Sequence, residues 1–254
     1  MLRKERPPGT CRQTPARTAD QAAKAERADL SGLVIGILGG TGDQGGGLAR
    51  RLAVAGHRVV IGSRDAGRAH AAAASLAATG VPAGAGGAPL LSGTLNAGAA
   101  SQSDVVIAAI PWEGHRELLA SLTGELAGKI VIDCVNPLGF DGKGAYPLPV
   151  PEGSAAQQAA AVLPDSRVVG AFHHVSATLL LDPGVDQIDL DVLVLGDDRQ
   201  ATDLVAALAE EIPGMRGIYG GRLRNCGQVE ALTANLVSIN RRYKAHAGLR
   251  ITDV

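Results

Sequence analysis

The sequence predicts an α/β fold, a doubly wound parallel sheet with a small C-terminal domain, and three observations indicate it. From Leu33 onward, short apolar runs alternate with longer stretches rich in alanine and leucine, as in βαβ units. Each apolar run is almost free of polar residues, which is typical of strands that helices cover on both faces. A glycine-rich segment follows the first run, at the position of the first strand-to-helix turn.

The predicted elements follow the chain in order. The first helix is expected over residues 44–55 and ends at Gly56, a residue suited to a left-handed cap. A later helix over residues 228–241 has apolar side chains at helical spacing on one face. The six predicted strands are LVIGIL from Leu33, RVVIGS from Arg58, DVVIAAI from Asp104, KIVIDCV from Lys129, RVVGAF from Arg167 and DVLVLG from Asp191.

Composition and charge favour small-molecule chemistry. The 254 residues carry a net charge of −1, so the chain lacks the basic surface expected of a protein that binds nucleic acid or anionic membranes. No apolar stretch is long enough to span a bilayer. Cys11, Cys134 and Cys226 are widely spaced, which indicates neither a disulfide framework nor a metal site and suits a reducing cytoplasm. We therefore expect a cytoplasmic protein without a nucleic-acid or membrane partner.

The segment VIGILGGTGDQGGGLARRLA contains the motif G-x-G-x-x-G directly after a predicted strand and at the opening of a helix. This context makes the motif specific for dinucleotide binding. Gly40 is expected to permit the tight turn, Gly42 to let a pyrophosphate approach the backbone, and Gly45 to let the helix pack on the strand. Amide groups at the helix start would then face the diphosphate.

The end of the second strand reads IGSR instead of carrying an acidic residue. An acid there would bind the adenosine ribose hydroxyls and repel a phosphate. Ser63 and Arg64 replace that repulsion with a hydroxyl donor and a guanidinium, and Arg68 adds a second positive charge. We expect these three residues to bind the 2′-phosphate of NADP(H).

The absence of several catalytic motifs from the sequence excludes some types of reaction. None of Tyr146, Tyr219 and Tyr243 has a lysine four residues later, as the catalytic pair of short-chain dehydrogenases requires. The sequence also lacks a G-x-S-x-G elbow, an H-E-x-x-H helix and a Walker lysine. A dinucleotide enzyme without an obvious proton-transfer residue indicates an acceptor that takes a hydride directly, such as a flavin-like ring.

Taken together, several segments resemble one enzyme family, the NADPH-dependent reductases of coenzyme F420, an 8-hydroxy-5-deazaflavin. They are LGGTGDQGGGLARRLA, VIGSRDAGRA, AAIPWEGH, GAFHHVSA, VLVLGDD and NCGQVEALTANLVSINRRYKAHAG. The resemblance implies a Rossmann-type NADP-binding domain over residues 32–172. It also implies a small C-terminal domain over residues 173–254 that closes a cleft and forms a homodimer. Residues 1–31 are expected to be a disordered extension.

The resemblance also implies a reaction and site residues. The reaction is hydride transfer, in either direction, between NADP(H) and F420 as small-molecule co-substrates. His173 is expected to contact and position the deazaflavin ring. The other residues implied are Thr41, Gly42, Asp43 and Gln44 at the pyrophosphate, Trp112 beside the cofactor, and Leu138, Ala177 and Ala247 near the two rings.

Two alternatives remain open from the sequence. One is an NADPH-dependent reductase of another acceptor, such as a flavin, an imine or a ferric chelate. The other is a non-catalytic NADP(H) sensor. The basic residues Arg241, Arg242 and Lys244 either attract the acidic glutamyl tail of the coenzyme or form a solvated helix end, and the second interpretation is favoured.

Overall fold

The structure is a computed structural model that describes residues 28–254, so most of the predicted N-terminal extension lies outside the described residues. The strands are β1 (Val34–Leu38), β2 (Arg58–Ser63), β3 (Leu91–Leu95), β4 (Val105–Ala108), β5 (Ile130–Asp133), β6 (Leu138–Asp141), β7 (Gly144–Pro147), β8 (Arg167–Gly170), β9 (Leu190–Gly196) and β10 (Met215–Gly221). The helices are α1 (Asp43–Val54), α2 (Ala66–Ala77), α3 (Asn96–Ser101), α4 (His115–Ala120), α5 (Thr123–Leu126), α6 (Ala155–Val162), α7 (Ala177–Leu181), α8 (Arg199–Glu210) and α9 (Cys226–Tyr243).

The main sheet has eight strands in the order β10-β9-β8-β5-β4-β1-β2-β3. Every neighbouring pair is parallel except β8 and β9, which are antiparallel. Strands β6 and β7 form a separate antiparallel hairpin. The strand order reverses direction between β1 and β4, and the crevice at such a switch point is where ligands bind in open α/β sheets. The predicted α/β class is confirmed.

Both faces of the sheet are buried, which explains why the predicted strands are so apolar. In β4, Val105 and Ile107 belong to one core cluster, while Val106 and Ala108 belong to the other. Successive side chains of a strand point to opposite faces, so every residue of β4 is buried on one side or the other. All six predicted strands are present.

Four strands were not predicted, namely β3, β6, β7 and β10, and for β3 and β10 the residues explain why. Strands β3 and β10 form the two edges of the main sheet. The first reads LSGTL and the second MRGIYGG, so both contain glycine and polar residues and are partly exposed. An edge strand needs less apolar surface than a central one, and its sequence therefore resembles a loop.

Helix α1 begins at Asp43 and ends at Val54, one residue earlier at each end than predicted. Gly56, with φ of +102°, follows its end in the left-handed region, where glycine is favoured over other residues. Helix α9 is longer than predicted at both ends. None of the helices between residues 28 and 254 combines the length and the apolar character needed to cross a bilayer.

Residues 173–254 are joined to the rest of the described chain by the sheet itself. Strands β9 and β10 continue the main sheet beyond β8. The buried Arg51 of α1 donates hydrogen bonds to the carbonyl oxygens of Leu179 and Leu180 in α7, at 2.6 and 2.9 Å. The division into domains at residue 172 therefore crosses continuous packing, and it stays a prediction.

Candidate cofactor cleft

A cavity of about 610 Å³ lies at the carboxyl ends of β1, β2, β4 and β5, where the strand order reverses. The structure brings nine of the predicted site residues to its lining. They are Thr41, Gly42, Asp43, Gln44, Ser63, Arg64, Arg68, Trp112 and His173. Because these residues come from distant parts of the chain, their meeting at one cavity is the result that a shared binding site requires.

The glycine loop packs tightly against the first strand. A Cβ atom at Gly45 would lie 2.8 Å from Cα of Gly40, which is closer than side chains tolerate. Gly40 and Gly45 are both buried, whereas Gly42 is exposed at the cavity. The left-handed residue of the turn is Gly39, with φ of +70°. The sequence interpretation assigned this turn to Gly40 and missed Gly39.

Helix α1 offers free backbone donors at its start. Its N-cap residue is Gly42, and no side chain between residues 28 and 254 caps it with a hydrogen bond. The first N–H groups of a helix lack partners within the helix and form the positive end of its dipole. Thr41, Gly42, Asp43 and Gln44 border the cavity at this point. The arrangement suits a diphosphate.

Positive charge is available at the end of β2. The side chains of Arg64 and Arg68 are exposed and have no ion-pair partner among residues 28–254. Asp65, between them, is the N-cap of α2 and accepts a hydrogen bond from the backbone N–H of Arg68 at 2.8 Å. Its carboxylate therefore caps helix α2, which gives Asp65 a structural role beside the two arginines. Ser63 also lines the cavity, and its hydroxyl accepts a hydrogen bond from the backbone N–H of Asp65 at 3.3 Å.

Asn96 is a site residue that the sequence interpretation missed. It is buried at the start of α3, and its Oδ1 accepts a hydrogen bond from the N–H of Gly39 at 3.3 Å. The same oxygen would lie 2.7 Å from a Cβ atom at Gly62. Asn96 therefore fixes the glycine turn against β2. It follows the unpredicted strand β3, so no sequence pattern pointed to it.

A buried ion pair supports the opposite wall of the cleft. The imidazole Nε2 of His115 and the carboxylate Oδ2 of Asp133 are 2.7 Å apart, and both side chains are fully buried. His115 Nδ1 lies 3.0 Å from Oε1 of Gln158. Burial lowers the pKa of His115, but the bond to Asp133, its charge and Gln158 together raise it above the usual value. Two acceptors on one imidazole indicate the charged form.

This ion pair connects two segments that border the cavity. The ring of Trp112 lies 5.5 Å from the ring of His115, centroid to centroid. Asp133 also accepts a hydrogen bond from the backbone N–H of Val135 at 3.0 Å through its second oxygen. Val135 borders the cleft beside Asn136. One carboxylate thus holds both the Trp112 loop and the turn after β5.

His173 lies at the base of this wall. It is 5% exposed, and neither of its ring nitrogens has a hydrogen-bond partner within the described residues. Burial lowers its pKa to about 4, with the Asp133 charge opposing and the His174 charge adding to the shift. Its backbone carbonyl accepts a hydrogen bond from Asn136 at 3.0 Å and lies 3.5 Å from the hydroxyl of Thr233. A neutral imidazole with two unused nitrogens therefore borders the cavity.

Three predicted ring contacts lie away from the cavity lining. Leu138 begins β6 and is paired with Pro147 in the hairpin. Ala177 is the first residue of α7. The N–H of Ala247 donates to Oδ1 of Asn240 at 2.6 Å. Their contact with a cofactor stays a prediction.

Comparison with known proteins decides the family. A family model described as "NADP oxidoreductase coenzyme F420-dependent" matches residues 34–137. The chain is 39% identical over 226 residues to the F420-dependent NADP reductase of Methanothermobacter thermautotrophicus, a match that covers 87% of this chain and 95% of that relative. The chain belongs to the F420-dependent NADP reductase family.

Two further matches place this family member among known proteins. A crystal structure from Arthrobacter sp. FB24, described as a candidate F420-dependent NADP reductase, superposes with a TM-score of 0.73 at 28% identity, covering 87% of this chain and all of that one. Metalloreductase STEAP3 of Rattus norvegicus is 31% identical over 203 residues, but the chain covers only 37% of it.

Proposed function

We propose that this protein is an oxidoreductase that transfers a hydride, in either direction, between NADP(H) and coenzyme F420. The observation that carries the proposal is the single cavity in which residues suited to a 2′-phosphate and a diphosphate meet a buried, partner-free imidazole and a tryptophan. The names of the curated family members support both co-substrates.

In this proposal the nucleotide lies along the carboxyl ends of β1 and β2. Ser63, Arg64 and Arg68 bind the 2′-phosphate, because a guanidinium and a phosphate form strong charge-assisted hydrogen bonds. The N–H groups at the start of α1 bind the pyrophosphate, with Thr41 to Gln44 around it. The nicotinamide then lies over the strand ends, between the glycine loop and Trp112.

The deazaflavin ring takes the space beside His173. Because the pKa of His173 is lowered to about 4, its imidazole is neutral near pH 7. A neutral imidazole donates one hydrogen bond and accepts another, so it orients the ring. The hydride passes from nicotinamide C4 to deazaflavin C5, and the accompanying proton comes from water. Catalysis then rests mainly on holding the two rings about 3 to 3.5 Å apart.

The proposal includes a homodimer formed through the C-terminal part of the chain. Ile239 and Tyr243 of α9 are 39% and 72% exposed. They lie one helical turn apart on one side of α9. Exposed apolar residues in such an arrangement are typical of a surface that a second subunit covers. Leu138, Ala177 and Ala247 are proposed to approach the rings when both co-substrates are bound.

The direct test is NADPH oxidation by the purified protein with oxidised F420 as acceptor, followed by the visible absorbance of F420. We expect bleaching with NADPH and little with NADH. Controls replace F420 by FMN, by an imine and by a ferric chelate, the last being the acceptor class suggested by the metalloreductase match. Binding of NADPH without oxidation by any acceptor would favour the sensor and contradict the proposal.

A further inference from the structure

A second open cavity lies on the outer side of α9. It has a volume of about 770 Å³ and is bounded by the β6–β7 hairpin on one side and by the C-terminal half of α9 on the other. We call it the distal groove. Its charged lining residues are Lys143 and Asp141 from the hairpin and Arg241 and Arg242 from the helix.

The distal groove carries excess positive charge. Lys143, Arg241 and Arg242 are exposed, and none has an acidic partner in the described part of the chain. Asp141 is the acid in the groove, and its Oδ1 already accepts hydrogen bonds from the N–H groups of Lys143 and Gly144, at 2.7 and 3.1 Å. Three cations therefore face the groove against one carboxylate that closes a turn.

Helix α9 connects the distal groove to the cofactor cleft. The Thr233 hydroxyl donates a hydrogen bond to Oδ1 of Asn136 at 3.1 Å, and Asn136 borders the cleft. Val237 and Arg241 follow at helical positions four and eight residues later, and both line the groove. Residues four apart lie on the same face of a helix. Because each helical residue adds about 1.5 Å, Arg241 lies about 12 Å along the helix axis from Thr233 at the cleft wall.

Strand β6 makes the same connection from the other side. It begins at Leu138, two residues after Asn136, and ends at Asp141 in the groove. An extended chain of this length spans about 13 Å from Asn136 to Phe140. Two independent elements therefore lead from the ring site to the groove over nearly the same distance. A ligand whose ring lies in the cleft therefore needs a tail of about 12 to 13 Å to reach the groove.

We propose that the distal groove binds the anionic tail of the deazaflavin co-substrate, its phosphodiester and glutamyl carboxylates, while the ring occupies the cleft near His173. This inference rests on the proposed function. The tail is negatively charged and extended, which matches a cationic trough that begins about 12 Å from the ring site. The assignment replaces the interpretation of Arg241 and Arg242 as a solvated helix end. If Arg241 and Arg242 contact the tail, the affinity of the protein for F420 depends on the negative charge of that tail.

The side of α9 that lines the distal groove also differs from the side proposed to contact a second subunit. Val237 and Arg241 lie on the groove side, whereas Ile239 and Tyr243 lie about half a turn away. A dimer that covers Ile239 and Tyr243 therefore leaves the groove open. The two uses of the helix are compatible.

The test compares two acceptors that differ only in the tail. One is intact F420, and the other is the same deazaflavin with its ribityl chain but without phosphate and glutamates. The test variant combines Lys143→Gln with Arg241→Gln. We expect KM for intact F420 to rise about tenfold or more, while kcat, KM for NADPH and KM for the tail-less acceptor stay within about twofold.

The matched control is Lys244→Gln. Lys244 is the exposed C-cap of the same helix but does not line the groove. This variant removes a nearby positive charge and is expected to leave all three constants unchanged. Higher salt should raise KM for intact F420 in the parent protein and have little effect on the tail-less acceptor.

Three outcomes would overturn the assignment. An equal rise in KM for both acceptors would mean that the substitutions act on binding of the ring and not of the tail. Unchanged KM in the test variant would remove the groove from binding, and loss of the dimer in size-exclusion chromatography would make the groove a subunit interface. If the parent protein reduced neither acceptor with NADPH, the proposed function itself would fail, which distinguishes the two failures.

Discussion

The two halves of the cleft are built in different ways. The nucleotide half consists mainly of short contiguous segments, residues 39–45 and 63–68, directly after β1 and β2, with Asn96 as a support from further along the chain. The acceptor half is assembled from residues far apart in the chain, such as Trp112, Asn136 and His173. In the first half, backbone geometry and exposed charge determine what can bind. In the second, buried polar contacts between distant residues determine the shape.

Because of this difference, substitutions in the two halves should affect different properties of the protein. Changes to the exposed charges of the nucleotide half should alter affinity for NADPH while the fold is kept. Changes in the supports of the acceptor half should cost stability as well, because buried charges lose their partners. The following variants test this contrast.

The largest effect is expected from Asp133→Leu. The change leaves the charged His115 buried without its carboxylate partner, and breaking a buried pair in this way typically costs about 3 to 5 kcal/mol. Urea unfolding at pH 6 measures the loss of unfolding free energy. Asp133→Asn is the matched control, since it keeps an oxygen acceptor and should lose less. A loss below about 1 kcal/mol for Asp133→Leu would show that the ion pair does not support this wall.

Arg64→Ala should spare the fold and weaken nucleotide binding. Removing one charged hydrogen-bond donor to the 2′-phosphate should cost about 1.5 to 3 kcal/mol, or roughly tenfold to a hundredfold in the Kd of NADPH. Isothermal titration calorimetry with NADPH and NADH gives both constants. Arg58→Ala, at the opposite end of β2, is the control and should change neither. An unchanged Kd for NADPH in Arg64→Ala would refute the prediction that the IGSR segment binds the 2′-phosphate.

Gly45→Ala should disturb the nucleotide half through sterics. The new methyl group would meet Cα of Gly40 at 2.8 Å and the carbonyl oxygen of Gly39 at 3.0 Å, both backbone atoms. Such overpacking typically costs about 1 to 3 kcal/mol, and the displaced loop should weaken NADPH binding by roughly tenfold. The control is Gly124→Ala in α5, where a methyl group meets no atom from elsewhere in the described part of the chain within 4 Å. Equal NADPH affinity in the two variants would contradict close packing of the loop.

The remaining prediction concerns pH and His173. Its folded pKa of about 4 lies below the usual 6.5, so the unfolded chain binds the proton more tightly and stability is lost as pH falls from 6.5 towards 4. At pH 5 this amounts to about 2 kcal/mol relative to pH 7.5. Buried Glu230, with its pKa raised to about 7, acts in the opposite direction.

The His173 contribution is therefore measured as a difference between two proteins. Urea unfolding of the parent and of His173→Asn at pH 7.5 and pH 5 cancels the Glu230 contribution, which both proteins share. The parent should lose about 2 kcal/mol more than the variant between these values. Parallel pH dependence in the two proteins would mean that His173 is not buried in its neutral form.

The same contrast explains how much the sequence could predict. The glycine motif and IGSR are contiguous and follow strands, so their residue types and spacing suffice to recognise them. The His115–Asp133 pair and the Asn96–Gly39 bond join residues 18 and 57 positions apart, which no local pattern indicates. Central strands were found because both faces are buried. The edge strand β3 was missed, and with it Asn96.

The most direct test of the central claim is a label-transfer experiment with NADPH deuterated at C4, one stereochemical form at a time. Mass spectrometry and proton NMR locate the deuterium after one turnover with oxidised F420 in ordinary water. Direct transfer between stacked rings predicts deuterium at C5 of the reduced deazaflavin from one of the two forms and none in the solvent. Deuterium in the water, or unlabelled C5 from both forms, would contradict hydride transfer across this cleft.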